Sequence, residues 1–156
     1  MAGGCGVTRG GGRVAGRESY TRSLSETVSI RPARPEDDAE ITRLVGLYPD
    51  KLLQEDRPEL ERFFIAELDG RAVGCCALDV YSRRLAEIRS LAVEPEMGRL
   101  GVGRRLVKAC RDRARELGVR QLLAVSSAVE FFEKSGFSTF RQEKTALFLN
   151  LEDGIE

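Results

Sequence analysis

The sequence predicts a mixed α/β (α+β) fold: a central mixed, mostly antiparallel sheet with helices on both faces. Three observations carry that expectation. Strand-like and helix-like segments alternate, a tight hairpin sits at the centre of the alternation, and the longest helix shows one apolar stripe. With 156 residues, 42% of them hydrophobic, the chain has apolar surface for one ordinary core.

Residues 1–24 stand apart, holding seven of the 16 glycines together with Arg9, Arg13, Arg17 and Arg22, and few large apolar side chains. Such a segment cannot bury enough surface to offset its ordering entropy. A disordered tail is therefore expected ahead of a single domain over residues 25–156.

The folded part opens with a strand over 27–31. A helix over 36–47 follows, with Glu36, Asp37 and Asp38 in its first turn, where the helix dipole favours acid. Residues 48–61 carry two turn signals, Tyr48-Pro49-Asp50 and Asp56-Arg57-Pro58, and predict an irregular loop with a short helix. Strands over 63–68 and 71–81 flank Asp69-Gly70, the strongest hairpin signal in the chain. A strand over 85–94 comes next. The long helix runs over 101–117, its stripe made by Val102, Leu106, Cys110, Ala114 and Leu117. Gly118 is placed to cap it. A buried strand over 121–125, a short helix over 129–134 stopping at Gly136, and strands near 137–141 and 145–151 complete the fold.

Twenty-five basic residues balance 25 acidic ones. That balance argues against nucleic acid or an anionic membrane surface as the main partner. No apolar run approaches bilayer length and no hydrophobic signal core follows the N-terminus, so a soluble, cytoplasmic protein is expected. There are no histidines. Ser-His-Asp and Cys-His catalysis are thereby excluded, as are histidine bases and most catalytic zinc sites; no metal is expected. Of the four cysteines, Cys75 and Cys76 are neighbours in a strand and so point to opposite faces, and no CxxC pair exists. They read as small buried apolar residues.

The most informative stretch is 91–107, which reads Leu-Ala-Val, a Pro-marked turn, a glycine-spaced loop and then the long helix. Gly101 and Gly103 fall where loop becomes helix. The first N–H groups of a helix have no partner inside it, and with the positive end of the dipole they make a phosphate site. Gly103 is followed by Arg104 and Arg105 rather than Lys-Ser/Thr, so this is not a Walker loop. The third glycine of a dinucleotide fingerprint is also missing.

In its full strand–loop–helix frame the stretch resembles the GNAT superfamily of acyl-CoA-dependent N-acyltransferases. The segment Ala128-Val129-Glu130-Phe131-Phe132-Glu133-Lys134-Ser135-Gly136-Phe137 resembles the second half of the family pattern. The likeness covers residues 27–151. Within the superfamily, Val73–Leu78 and Leu85–Val93 are similar to the short stand-alone amino-acid N-acetyltransferases, the N-acetylglutamate-synthase-like enzymes of arginine biosynthesis.

The resemblance implies acetyl-CoA as co-substrate, held by Leu91, Ala92, Val93, Gly98, Arg99, Leu100, Gly101, Val102, Gly103 and Arg104. Backbone N–H near Ala92 or Val93 would polarise the thioester carbonyl, and pantetheine amides would pair with the strand edge at Leu91 and Val93. The acceptor implied is the α-amine of a small amino acid, L-glutamate first. The alternatives are another small amine, a protein N-terminus, or a non-catalytic acyl-CoA-binding module. A homodimer is compatible with this reading.

Amide formation needs an unprotonated amine, so a base within direct or one-water reach helps; Glu87, matching the family's strand glutamate, is the candidate. Arg89, two residues on, shares its face unless a bulge intervenes. Its guanidinium stands equally to grip a substrate carboxylate or to pair with Glu87. Arg141 and Lys144 are further cations for a dicarboxylate acceptor. Two departures from the pattern stand out. Gly98 replaces the usual Gln or Arg, with Arg99 or Arg104 as substitutes, and Phe132 replaces a tyrosine that protonates the leaving thiolate in many members. Thiols, with a pKa near ~8.5, leave without much help.

Overall fold

The computed structural model describes residues 27–139 and Leu147. One sheet carries β1 (Ser29–Pro32), β2 (Phe63–Leu68), β3 (Arg71–Val80), β4 (Leu85–Val93) and β5 (Gln121–Ala124) in that spatial order. The first three junctions are antiparallel and β4–β5 is parallel. The helices are α1 (Asp38–Gly46), α2 (Val102–Glu116) and α3 (Val129–Lys134).

The β2–β3 hairpin turns on Asp69 and Gly70, with φ of 51° and 76°. A two-residue turn that matches the twist of its strands needs both residues left-handed, which Asp-Gly supplies. Alternation along β3 and β4 then divides the core. On one face Cys76, Leu78, Ala86 and Ile88 pack with Leu106, Val107 and Cys110 of α2. On the other, Cys75, Ala77 and Ala92 pack with Ile41, Leu44 and Val45 of α1. Cys75 and Cys76 thus face opposite sides, and both are buried free thiols. Burial pushes the Cys75 thiol up to about 12, so it serves as an apolar filler.

The stripe of α2 is buried at Val102, Leu106, Cys110 and Ala114, but Leu117 is 44% exposed because it lies beyond the last turn, at the C-cap. Gly118 follows with φ of 73°, closing the helix as its position foretold. No described helix is long and apolar enough to cross a membrane.

Other expectations shift. The first strand begins at Ser29 and runs through Pro32, which its edge position tolerates. The first helix opens with a 3₁₀ turn, Pro35–Asp37, before α1. Asp37 explains that entry, since its carboxylate accepts from the Arg34 N–H at 2.7 Å and from both terminal nitrogens of Arg31 at 2.7 and 2.9 Å. The short helix expected in 48–61 is a 3₁₀ turn, Leu60–Arg62. β5 is half-exposed rather than buried, pairing only with β4 among the described residues. Residues 137–139 form no strand. The tail over 1–24 and the strand near 145–151 fall outside the described residues, apart from Leu147.

Candidate active site

The site begins with a strand pair that parts. β5 is paired with β4 only from Leu85 to Ile88, so the outer edge of β4 is open beyond that point among the described residues. Just there the register with β3 jumps from Ala77↔Arg89 to Cys75↔Ala92, giving β4 one extra residue. Ser90 absorbs the bulge at φ of 52°, an uncommon conformation for a residue with a Cβ. Because the bulge follows Arg89, Glu87 and Arg89 share the α1 face, whereas Leu91 and Val93 turn to the α2 side.

A cleft of about 920 Å³ passes through this gap. Glu87 and Arg89 line it from one face, and Val93, Gly103 and Phe131 from the other. The Glu94 N–H donates to the Val73 carbonyl at 2.9 Å, so antiparallel alternation turns the N–H and C=O of Val93 away from β3, toward the cleft. The Tyr48 hydroxyl donates to that Val93 carbonyl. Partial burial, then the charge of Glu96, pushes the Tyr48 phenol up and keeps it a donor.

Glu87 accepts a hydrogen bond from the Tyr81 hydroxyl. Partial desolvation and that bond push the Tyr81 phenol up to about 12, so it stays protonated at any working pH. Arg89 pairs not with Glu87 but with Asp79 and the loop over the cleft. One nitrogen donates to Asp79 Oδ2 at 3.1 Å and another to the Asp56 carbonyl at 3.0 Å. Asp79, buried at 6% exposure, also pairs with Arg62.

The glycine loop opens α2 as expected, for reasons that differ between its members. Gly101 is the N-cap and sits at φ of 74°, which a residue with a side chain would adopt under strain. Arg105 is the first N–H to bond back, reaching the Gly101 carbonyl at 3.1 Å, which leaves the preceding helical N–H groups without intrahelical partners. Gly103 makes room for a neighbour instead: a Cβ there would lie 3.3 Å from the Phe131 ring. Gly98, Arg99 and Arg104 line the same cleft, and Arg104 also donates to the Lys134 carbonyl at 3.1 Å. Loop, open edge and free N–H groups fit a phosphorylated thioester laid along β4, with its phosphates at the start of α2.

Among the residues expected to touch the cofactor, Leu91, Val93, Gly98, Arg99, Gly101, Gly103 and Arg104 line the cleft. Ala92 does not: it faces α1 at 1% exposure. Val102 is spent on the core and Leu100 packs against it. Arg141 and Lys144 lie outside the described residues. Phe132 lines the cleft and stacks edge-on with Phe131 and Phe137, with centroids 5.1 and 5.2 Å away. Sequence reasoning missed Tyr48, Lys51 and Leu53 on the cleft wall and Tyr81 beside Glu87. The irregular loop that carries the first three has no periodicity to read.

Residues 24–137 match the acetyltransferase (GNAT) family model, and the chain belongs to that family. An amino-acid acetyltransferase of Mycobacterium tuberculosis is 35% identical over 117 residues, 70% of this chain and 67% of that protein. A Mycobacterium tuberculosis structure in complex with CoA superposes with a TM-score of 0.67 at 32% identity, covering 80% of this chain and 77% of the other. The N-acetylglutamate synthase of Neisseria gonorrhoeae, complexed with coenzyme A and N-acetyl-glutamate, gives 0.63 at 33% identity over 69% of this chain; only 27% of that longer protein is matched. The protein is thus an acetyl-CoA-dependent N-acetyltransferase of the amino-acid acetyltransferase type.

Proposed function

We propose that the protein acetylates the α-amine of a small amino acid, with L-glutamate the first choice. The observation that carries this reading is that Glu87 lines the same through-sheet cleft as Gly101 and Gly103. A base on one face of the sheet and a phosphate loop on the other are joined by the open edge of β4. Bound acetyl-CoA supplies an activated thioester. The free N–H groups at the start of α2, with Arg99 and Arg104, hold its phosphates, and the outward N–H and C=O of Val93 align the chain leading to the thioester.

Glu87 takes the proton from the acceptor ammonium, directly or through one water, and the Tyr81 hydroxyl fixes the carboxylate's orientation. The thiolate leaves unaided, in keeping with Phe132, which offers no acid at that position. Residues 48–53 contribute Tyr48, Lys51, Leu52 and Leu53 to the cleft wall. A site so walled supports a small acceptor over a peptide N-terminus.

Release of free thiol from acetyl-CoA across an amino-acid panel tests the reading. Turnover with glutamate well above the other amino acids is expected. Acetyl-CoA binding without transfer to any amine would make the protein a binding module. Transfer to peptides alone would move the acceptor.

A further inference from the structure

We infer that Lys51 anchors a carboxylate of the acceptor, an inference that rests on the amino-acid reading above. The loop over the cleft is held to the sheet at both ends. It is tied to β4 at two places, by the Tyr48 hydroxyl on the Val93 carbonyl and by the Arg89 guanidinium on the Asp56 carbonyl. Between those ties the Lys51 and Leu52 N–H groups close a turn onto the Tyr48 carbonyl at 3.1 and 2.9 Å. Gln54 braces the far side, donating to the Val45 carbonyl at 3.2 Å and the Leu52 carbonyl at 2.8 Å.

Lys51 therefore stands on a strap fixed to both ends of the unpaired edge of β4, the stretch between the base and the cofactor loop. Lys51 is exposed and lines the cleft. Among the described residues no carboxylate pairs with its ammonium. Arg89 is differently placed: Asp79 and the Asp56 carbonyl already occupy its fork. Asp56 and Asp79 also surround Arg89 with negative charge, so a substrate carboxylate gains little there. An amino acid entering toward Glu87 brings at least one carboxylate into a cleft whose unneutralised cation on the strap is Lys51. A charge-assisted hydrogen bond is the natural outcome.

The test compares wild type with K51M and K51R on three acceptors: glutamate, glutamine, and isoglutamine, in which the α-carboxylate is the amide. Lys51 is exposed, so both variants should fold, and an unchanged melting temperature checks that. K51M is expected to raise KM for glutamate roughly tenfold to a hundredfold, leaving KM for acetyl-CoA within about twofold, while K51R restores most of the loss. One of the two amides, the one lacking the carboxylate that Lys51 holds, should be a poor wild-type substrate and indifferent to K51M. An unchanged glutamate KM in K51M, with wild type active, overturns the anchor alone. A rise in acetyl-CoA KM without one for glutamate overturns it too, moving Lys51 to the cofactor. Wild-type preference for amines without a carboxylate overturns both the anchor and the amino-acid reading.

Discussion

Arg89 donates to Asp79 on the neighbouring strand at 3.1 Å and, through its other terminal nitrogen, to the Asp56 carbonyl at 3.0 Å. One guanidinium thereby joins β4, β3 and the loop over the cleft. An ammonium cannot span both partners with the same geometry. Arg89→Lys should lower stability by about 1 kcal/mol in urea unfolding and raise the acceptor KM several-fold, while acetyl-CoA affinity holds. Its glutamate-to-glutamine preference should match wild type, because the fork positions the loop rather than grips substrate. A variant that loses that preference would return Arg89 to the role of carboxylate grip.

Glu87→Gln keeps the size of the side chain and its place beside Tyr81, but removes the base. kcat should fall by roughly 10²–10⁴-fold, with acetyl-CoA affinity by calorimetry unchanged. Tyr81→Phe should cost less, because it removes the bond that orients the carboxylate and not the carboxylate itself. Near-normal turnover in Glu87→Gln would make that residue structural.

Acetyl-CoA should raise the melting temperature, since a ligand bound only by the folded state adds about 2.7 kcal/mol at a hundred times Kd. Gly101→Val should abolish that shift. At φ of 74° a β-branched residue is strained, and its side chain would enter open space beside the loop rather than the core. The variant should fold, at a cost of about 1–2 kcal/mol, and fail to hold the phosphates. A retained shift would place the phosphates elsewhere.

The pair Arg31–Asp37 makes a prediction about acid. The hydrogen bonds from Arg31, with help from the Arg34 N–H, hold the Asp37 carboxyl below its ordinary value of 3.8. A depressed folded value means that the carboxylate stabilises the fold above the unfolded value, and that this stability is lost as pH falls through the folded one. Asp37→Asn should therefore cost about 1.5–3 kcal/mol at pH 7, and the gap to wild type should narrow in strong acid. A gap independent of pH, measured by chemical unfolding, would refute the linkage.

Much of this was legible from local pattern. Asp69-Gly70 announced its hairpin, and the spacing of Val102, Leu106, Cys110 and Ala114 gave α2 its buried side. The Gly101–Gly103 loop pointed to phosphate through elementary helix chemistry. What escaped was made by long-range contact. Asp79 and Arg89 are 10 residues apart and Tyr48 reaches Val93 across 45, and neither pairing leaves a periodic trace. The intramolecular partners of Arg89 left no trace in spacing, because cross-strand and loop groups compete with the carboxylate two residues away, and only the register decides.

The extra residue at Ser90 sets a phase. Two-residue alternation is unforgiving, so one residue inserted into β4 reassigns the side of everything after it. With Ser90 removed, Leu91 and Val93 would swing to the side of Glu87 and Arg89, and Ala92 would be driven into the packing of α2. The strand would still be a strand, but its apolar side chains would plug the opening and the glycine loop would leave in another direction. The length of β4 thus acts as a reading frame for the enzyme, in which a single-residue deletion is the mutation least open to repair by side-chain substitution.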